Sequence, residues 1–141
     1  MARFAASVQN FTPGEALQNG TKLNKNFGAP QSNSVWNETA AGTTQATATP
    51  VTSGLTQFST VAANSGAILT CGSVREAPQI QDIYNDGANP LTVYPPVGMQ
   101  IDGNAVNAGV TLTNGNRCRF TFFPTGGVGV IKSALLGAVS A

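Results

Sequence analysis

The chain of 141 residues has no histidine and few charged residues. Asp, Glu, Lys and Arg together make up 9% of the sequence, whereas typical soluble domains carry about 25%. Without histidine, the Ser-His-Asp triad, the histidine-containing zinc sites and the acid–base relays that work near neutral pH are excluded. The sequence therefore predicts a protein that is not an enzyme and that holds no cofactor and no metal.

The nearest approach to a catalytic cluster is a set of three carboxylates, Glu76, Asp82 and Asp86. A pair of carboxylates at the right separation can hydrolyse glycosidic bonds. Asp86 is already explained by the turn that it forms with Gly87, and Asp82 falls at an outward position of a predicted strand. We therefore expect no catalysis from these groups.

Positive charge is too sparse to form a nucleic-acid site. Seven Lys and Arg residues stand against six Asp and Glu residues, which gives a formal net charge of +1. Nucleic-acid binding needs basic side chains clustered on one face. Arg117 and Arg119 are two apart on a predicted strand and therefore share a face. A strand face that is exposed to water or to an acidic partner accounts for this pair better than DNA binding does.

Long apolar runs are also missing. No segment approaches the roughly 18 apolar residues of a membrane helix, and the first residues lack the apolar core of a signal peptide. We therefore expect an intracellular protein that binds no membrane. In that setting the only cysteines, Cys71 and Cys118, are expected to be buried free thiols. A disulfide that joins their two strands is the alternative.

The sequence divides near residue 40. Residues 1–40 are predicted to form an irregular N-terminal arm, in which apolar residues such as Phe4, Phe11 and Phe27 are separated by turns rich in Gly, Pro and Asn. These isolated aromatic residues either dock into pockets on a neighbouring subunit or cover one end of the chain's own domain. Trp36 lies near the boundary, where it is expected to pin the arm to the body.

Residues 41–141 contain short apolar stretches that are separated by regularly spaced turns, and no convincing helix falls among them. This pattern predicts an all-β fold, a jelly-roll-like sandwich of two sheets that follows the extended, irregular N-terminal arm. The predicted strands are residues 44–49, 57–62, 67–72, 79–84, 91–94, 99–102, 110–113, 116–123 and 128–133.

Two turn sequences predict hairpins. Asp86-Gly87 and Asn114-Gly115 each stand between two predicted strands. Asp-Gly and Asn-Gly pairs supply the positive φ angles of tight hairpin turns. We therefore expect each pair to reverse the chain between neighbouring strands of one sheet.

The predicted strand at 116–123 has the clearest alternation of side chains. Cys118 and Phe120 fall on one face, whereas Arg117 and Arg119 fall on the other. Because successive side chains project to opposite faces of a strand, the pattern predicts an apolar inner face and a polar outer face.

A succession of short motifs runs through the second half of the chain. Asn85-Asp-Gly-Ala-Asn is followed by Leu91-Thr-Val-Tyr-Pro-Pro and by Gly98-Met-Gln-Ile-Asp-Gly, and residues 110–122 then supply a second turn and an apolar strand. This succession resembles a module of small structural proteins of tailed bacteriophages, over residues 78–133. With its length and arm, the whole chain resembles the capsid cement, or decoration, proteins of short-tailed phages.

The resemblance implies a structural virion protein without enzymatic activity. Such a protein binds the outer surface of the head, bridges neighbouring subunits of the major capsid protein, and is made in the host cytoplasm. A dimer is our first expectation for its self-association and a trimer our second. The alternative is a tail or tail-fibre module that binds a receptor or a glycan. The candidate contact residues are Phe4, Phe11, Phe27, Trp36, Arg117 and Arg119.

Overall fold

The computed structural model describes residues 34–71, 79–123 and 129–138, and these residues form ten strands and no helix. The strands are β1 (Ser34–Ala40), β2 (Thr49–Val51), β3 (Leu55–Val61), β4 (Gly66–Leu69), β5 (Ile80–Asn85), β6 (Leu91–Tyr94), β7 (Gln100–Ile101), β8 (Val110–Leu112), β9 (Asn116–Phe123) and β10 (Val130–Ala138). They make a six-stranded sheet in the order β1-β3-β5-β9-β10-β7 and a four-stranded sheet in the order β2-β4-β6-β8. The prediction of an all-β fold with two sheets is confirmed.

The chain changes sheet at every step from β1 to β9. In the larger sheet β1, β3 and β5 pair in parallel, and in the smaller sheet β2, β4 and β6 do the same. Residues 34–94 therefore wind through three stacked coils, each of which gives one strand to each sheet, as in β-solenoids. This winding differs from a jelly roll, whose sheets are antiparallel.

The winding ends in antiparallel strands. β9 pairs with β5 on one side and with β10 on the other, and β8 pairs with β6. β7 then joins the far edge of the larger sheet by a short parallel pairing with β10. β10 continues to Ala138, so the first part of the apolar C-terminal segment extends the sheet.

The core lies between the two sheets. Phe58, Ile83 and Phe120 from the larger sheet are fully buried against a layer that includes Leu69 and Leu91 from the smaller sheet. Full burial of a large apolar side chain contributes about 1.5–3 kcal/mol to the free energy of unfolding. The prediction for β9 is confirmed, because its inner side is apolar and its outer side is polar.

The cysteines belong to this core. Cys71 and Cys118 are both buried, and both are free, which confirms the prediction of buried free thiols. Burial raises the pKa of Cys71 to about 12 against the smaller, opposing effect of a backbone hydrogen bond. Burial also raises the pKa of Cys118. Both side chains therefore remain thiols at neutral pH and are poor nucleophiles.

Gln81 is a fully buried polar residue on the inner face of β5. Its amide nitrogen donates to the carbonyl oxygens of Val51 and Ser53 at 2.7 and 3.2 Å. Its amide oxygen accepts from the backbone N–H groups of Thr70 and Cys71 at 2.9 and 2.8 Å. One side chain thus satisfies main-chain groups at the ends of β2 and β4, where the coils leave the smaller sheet.

Asn85, at the other end of β5, has the same function on the opposite side of the fold. Its side chain donates to the carbonyl oxygens of Asn89 and Leu112, both at 2.9 Å, and accepts from the N–H of Gly87 at 3.1 Å. Its own carbonyl oxygen accepts from the N–H of Gly115. Asn85 therefore holds both connections that cross between the sheets at this end.

The two predicted hairpins are wrong, because both turns lie at these crossings. Asp86-Gly87 leads from β5 in the larger sheet to β6 in the smaller one, and Asn114-Gly115 leads from β8 back to β9. The expectation of positive φ also fails at Gly87. A Cβ atom there would lie 2.6 Å from Cβ of Val61, so the glycine is needed for close packing rather than for its φ angle.

Three further sequence predictions have definite outcomes. The predicted strand at 44–49 is mostly a turn, because the N–H of Ala48 bonds to the carbonyl oxygen of Thr44. Residues 34–40, which the sequence assigns to the arm, form β1 of the larger sheet. Phe4, Phe11 and Phe27 lie outside the described residues. β6 ends at Tyr94, as the predicted strand at 91–94 does, directly before two prolines that have no N–H to donate to a ladder.

Among the described residues, the outer edge of the first coil is irregular. β1 contains register shifts against β3 on either side of Glu38, and Asn37 has a positive φ of 61°. β2 contains Pro50, which has no N–H to donate. Both strands stand first in their sheets, so these features lie at the end of the stacked coils.

The first prediction concerns Gln81. Gln81→Met keeps the size of the side chain but leaves two buried carbonyl oxygens and two buried N–H groups without this partner. Each such group costs about 1–3 kcal/mol, so we expect the free energy of unfolding to fall by at least about 3 kcal/mol in urea denaturation. Gln57→Met, on the outer side of β3, should change it by less than about 0.5 kcal/mol. Equal losses for the two variants would contradict the assigned function of Gln81.

The second prediction compares two Asp-Gly pairs. Gly103 has a φ of +82° with open space around its Cβ position, whereas Gly87 is in contact with Val61. Asparagine tolerates positive φ but needs room. Gly103→Asn should therefore cost less than about 1 kcal/mol, and Gly87→Asn should cost more than about 2 kcal/mol through overpacking. Thermal denaturation of both variants measures the difference, and the reverse order would show that Gly87 is not tightly packed.

Candidate interaction surface

The side of the larger sheet that faces away from the core presents side chains in rows across the strands. The register places Leu55 on β3, Asp82 on β5 and Arg119 on β9 in one row. The next row contains Gln57, Tyr84 and Arg117. Since residues two apart on a strand share a face, both rows lie on the same side of the sheet.

β1 and β10 extend these rows. Ser34 pairs with Leu55, and the indole N–H of Trp36 donates to the Ser34 hydroxyl at 3.2 Å. A third row is formed by Ile80, Thr121 and Lys132. We call this surface the outer face; it comprises Ser34, Trp36, Leu55, Gln57, Ile80, Asp82, Tyr84, Arg117, Arg119, Thr121, Phe123, Val130, Lys132 and Ala134.

The centre of the outer face is an ion cluster of one carboxylate and two guanidinium groups. Arg119 binds Asp82 through two nitrogens, with Nε 2.8 Å from Oδ1 and Nη2 2.9 Å from Oδ2. Nη2 of Arg117 lies 2.6 Å from the same Oδ2. Asp82 is only 5% exposed because the two arginine side chains cover it. The carboxylate therefore fixes the position of both guanidinium groups.

The electrostatics of the cluster favour the ionised carboxylate. Burial on its own would raise the pKa of Asp82, but the hydrogen bonds and the positive charges of Arg119 and Arg117 outweigh it and hold that pKa below its ordinary value. The hydrogen bond to Asp82, together with its negative charge, raises the pKa of Arg119. Asp82 and Arg119 therefore stabilise each other in their charged forms.

Large apolar side chains surround the cluster. Trp36 is 57% exposed, Phe123 is 50% exposed and Ile80 is 47% exposed. Tyr84 and Leu55 are half-buried between their neighbours. Tryptophan, tyrosine and arginine are the residue types in which the binding energy of protein interfaces is concentrated. The outer face thus has the composition of a contact surface.

Three of the six predicted contact residues come together here. Trp36, Arg117 and Arg119 all lie on the outer face, while the three predicted phenylalanines belong to the part of the chain outside the described residues. Tyr84 and Phe123 also lie on this face but were not among the predicted contact residues. Asp82 was predicted at an outward position, but its link to the arginines depends on the pairing of β5 with β9.

Other candidate chemistry is absent from the part of the chain that the structure describes. Asp82 is occupied by the arginines, Asp86 accepts from the Gln57 amide, and Glu76 lies outside the described residues. No group of His, Cys, Asp or Glu in the described ranges could hold a metal ion. Within the same ranges there is no helix with the length and apolar character needed to cross a bilayer.

A cavity of about 400 Å³ lies away from the outer face. Its lining offers the hydroxyl of one threonine and no charged group. The lining residues are Ile68, Leu69, Thr70, Pro96, Val97 and Met99. This cavity has no arrangement of polar groups that would orient a ligand.

The third prediction concerns Asp82 and pH. Because folding lowers its pKa, the ionised carboxylate stabilises the folded protein above the ordinary value of 3.8, and this contribution disappears as the pH falls below that value. Asp82→Asn should lower the free energy of unfolding at neutral pH by about 1.5–3 kcal/mol. It should also flatten the loss of stability below about pH 4. Urea denaturation over a series of pH values measures both effects.

The control for this variant is Asp86→Asn, which removes the same charge from an exposed carboxylate. We expect it to change the free energy of unfolding by less than about 0.5 kcal/mol and to leave the acid profile intact. If both variants behave alike, the cluster does not stabilise the fold.

The outer face combines exposed aromatic side chains, guanidinium groups in fixed positions and few other charges, which suits the binding of a partner. Among the described residues its only carboxylate is Asp82, which both arginines bind. No family model, no curated protein and no solved structure was found to match the chain.

Proposed function

We propose that this protein is a structural virion protein that binds the outer surface of a tailed-phage capsid. There it bridges neighbouring subunits of the major capsid protein and stabilises the head. The observation that carries the proposal is the outer face, where exposed aromatic residues surround an arginine pair that is already fixed by Asp82. This surface serves binding and needs no metal, no cofactor and no enzymatic activity.

The residues that resemble the phage module support this assignment. That resemblance covers residues 78–133, which include β5 to β9 at the centre of the fold. Asp82, Tyr84, Arg117 and Arg119 of the outer face all come from this range. The part of the chain that carries the resemblance therefore also supplies most of the proposed contact surface.

The energetics suit a protein that binds many times on one particle. A well-packed aromatic or arginine residue contributes about 2 kcal/mol or more at an interface. No charged residue falls between Glu38 and Arg75, so the contact of this stretch with another protein costs no desolvation of ions. Repetition of modest contacts across a symmetric shell then gives firm attachment through effective concentration.

The proposal includes self-association and the N-terminal arm. We propose a dimer, in which the same surface of two copies meets across a twofold axis, ahead of a trimer. Residues 1–33 extend the contacts to a neighbouring subunit through Phe4, Phe11 and Phe27. In this arrangement the protein is located on the exterior of the capsid.

A tail or tail-fibre module that binds a receptor or a glycan is the second candidate. The observation that favours it is that the exposed Trp36 and the half-buried Tyr84 lie on one face, with β3 between their strands. Aromatic side chains stack on sugar rings as well as on protein groups. Location on the particle separates the two candidates.

The fourth prediction tests location and binding together. Purified heads and purified tails, analysed separately by quantitative mass spectrometry, should show this protein in many copies on heads and in none on tails. Recombinant protein should also co-sediment with heads from which it has been removed, and Trp36→Ala should weaken that binding by about tenfold or more. Thr60→Ala, an exposed position of β3, serves as the matched control. Confinement to tails would replace the head assignment with the second candidate.

A further inference from the structure

Three cations and one carboxylate lie on the outer face among the residues that the structure describes. Arg117, Arg119 and Lys132 are positive, and Asp82 is negative. The exposed Asp86 lies beyond the end of β5, where it accepts a hydrogen bond from Gln57. The face is therefore positive in a protein that is almost neutral as a whole.

The guanidinium groups keep unused hydrogen-bonding capacity. Each guanidinium carries five N–H donors. Within the described residues, Arg119 directs two donors at Asp82 and Arg117 directs one. The side chains of the two arginines are 46% and 36% exposed, so donors on both remain accessible to a partner.

Asp82 reduces the entropic cost of using those donors. Long side chains lose conformational entropy when an interface immobilises them. Here the carboxylate already holds both arginines in the free protein. A planar guanidinium in a fixed orientation suits bidentate binding of a second carboxylate. The cluster is thus prepared for an anionic group that arrives from outside.

The sign of charge selects among the possible occupants of the outer face. Residues 1–33 of the same chain carry Arg3, Lys22 and Lys25 against Glu15 alone, so their charge has the same sign as the face. A second copy that meets the first through this face would bring arginines against arginines. A protein surface that presents carboxylates beside apolar side chains matches both the arginine pair and the exposed aromatic residues.

We propose that the outer face binds an acidic, apolar-flanked segment of a partner protein, whose carboxylates pair with Arg117, Arg119 and Lys132. This proposal rests on the proposed function in taking the partner to be a protein of the same particle. It adds the chemistry of the partner: Asp or Glu side chains at the centre of the contact and apolar side chains around them. Such a contact weakens as ionic strength rises.

The fifth prediction uses a defined probe with the full-length protein. A short synthetic peptide that alternates glutamate with valine is titrated into the isotope-labelled protein and followed by nuclear magnetic resonance. Its counterpart, with glutamine in place of glutamate, is the matched control. We expect the glutamate peptide to shift the amide signals of Arg117, Arg119 and Lys132, and we expect high salt to remove the shifts. Equal shifts with both peptides, or shifts only elsewhere in the chain, would overturn the proposal.

Two substitutions connect this result to binding on heads. Lys132→Glu reverses a charge that has no contact with Asp82, so the ion cluster and the fold are retained. Arg119→Glu removes the cluster as well. Both variants should bind the glutamate peptide and the depleted heads at least about tenfold more weakly than the unmodified protein does.

The outcomes separate the two proposals. If the unmodified protein binds heads and Lys132→Glu binds them equally well, the acidic partner is wrong and the capsid function stands. If the unmodified protein does not bind heads, the capsid function is wrong, and the peptide titration alone decides whether the face selects carboxylates. A change in self-association of Lys132→Glu in sedimentation velocity would instead identify a second copy as the occupant and overturn the proposal.

Discussion

The fold depends on two buried amides at the two ends of one strand. A chain that crosses between two sheets at every strand leaves main-chain groups unpaired at each corner, and these groups must find partners within the protein. Gln81 satisfies the corners next to β2 and β4, while Asn85 holds the crossings that lead to β6 and β9. With these corners fixed, the parallel strands stack in register and the apolar core closes between them.

β5 holds the two buried amides on its inner side and residues of the outer face on its outer side. β5 alternates Gln81, Ile83 and Asn85 on its inner side with Ile80, Asp82 and Tyr84 on its outer side. Because its inner residues are locked by hydrogen bonds, Asp82 is held at a fixed place in the middle of the larger sheet. The arginines of β9 are then positioned by a carboxylate that cannot move away from them. The hydrogen bonds inside the protein thus preorganise the ion cluster on its surface.

Local patterns predicted the features that depend on a single strand. The alternation of Cys118 and Phe120 with the arginines showed which side of β9 is buried, and the predicted strand at 91–94 has the same bounds as β6. Sheet topology depends on contacts between distant residues. An Asp-Gly pair fits a hairpin turn as well as a crossing between two sheets. At Asp86-Gly87 the chain crosses between the sheets, and Gly87 packs closely on Val61. The ion cluster could not be predicted from the sequence for the same reason, since Asp82 and the two arginines belong to strands that are far apart in sequence.

The irregular edge of the first coil has a consequence for solubility at high concentration. Stacked parallel coils expose main-chain donors and acceptors at their ends, and a regular end invites a further coil from another molecule, with unlimited fibre growth. The shifted register around Glu38, the left-handed conformation of Asn37 and the missing donor of Pro50 interrupt that template. These irregularities therefore hinder the addition of a further coil from another molecule at this end of the described coils.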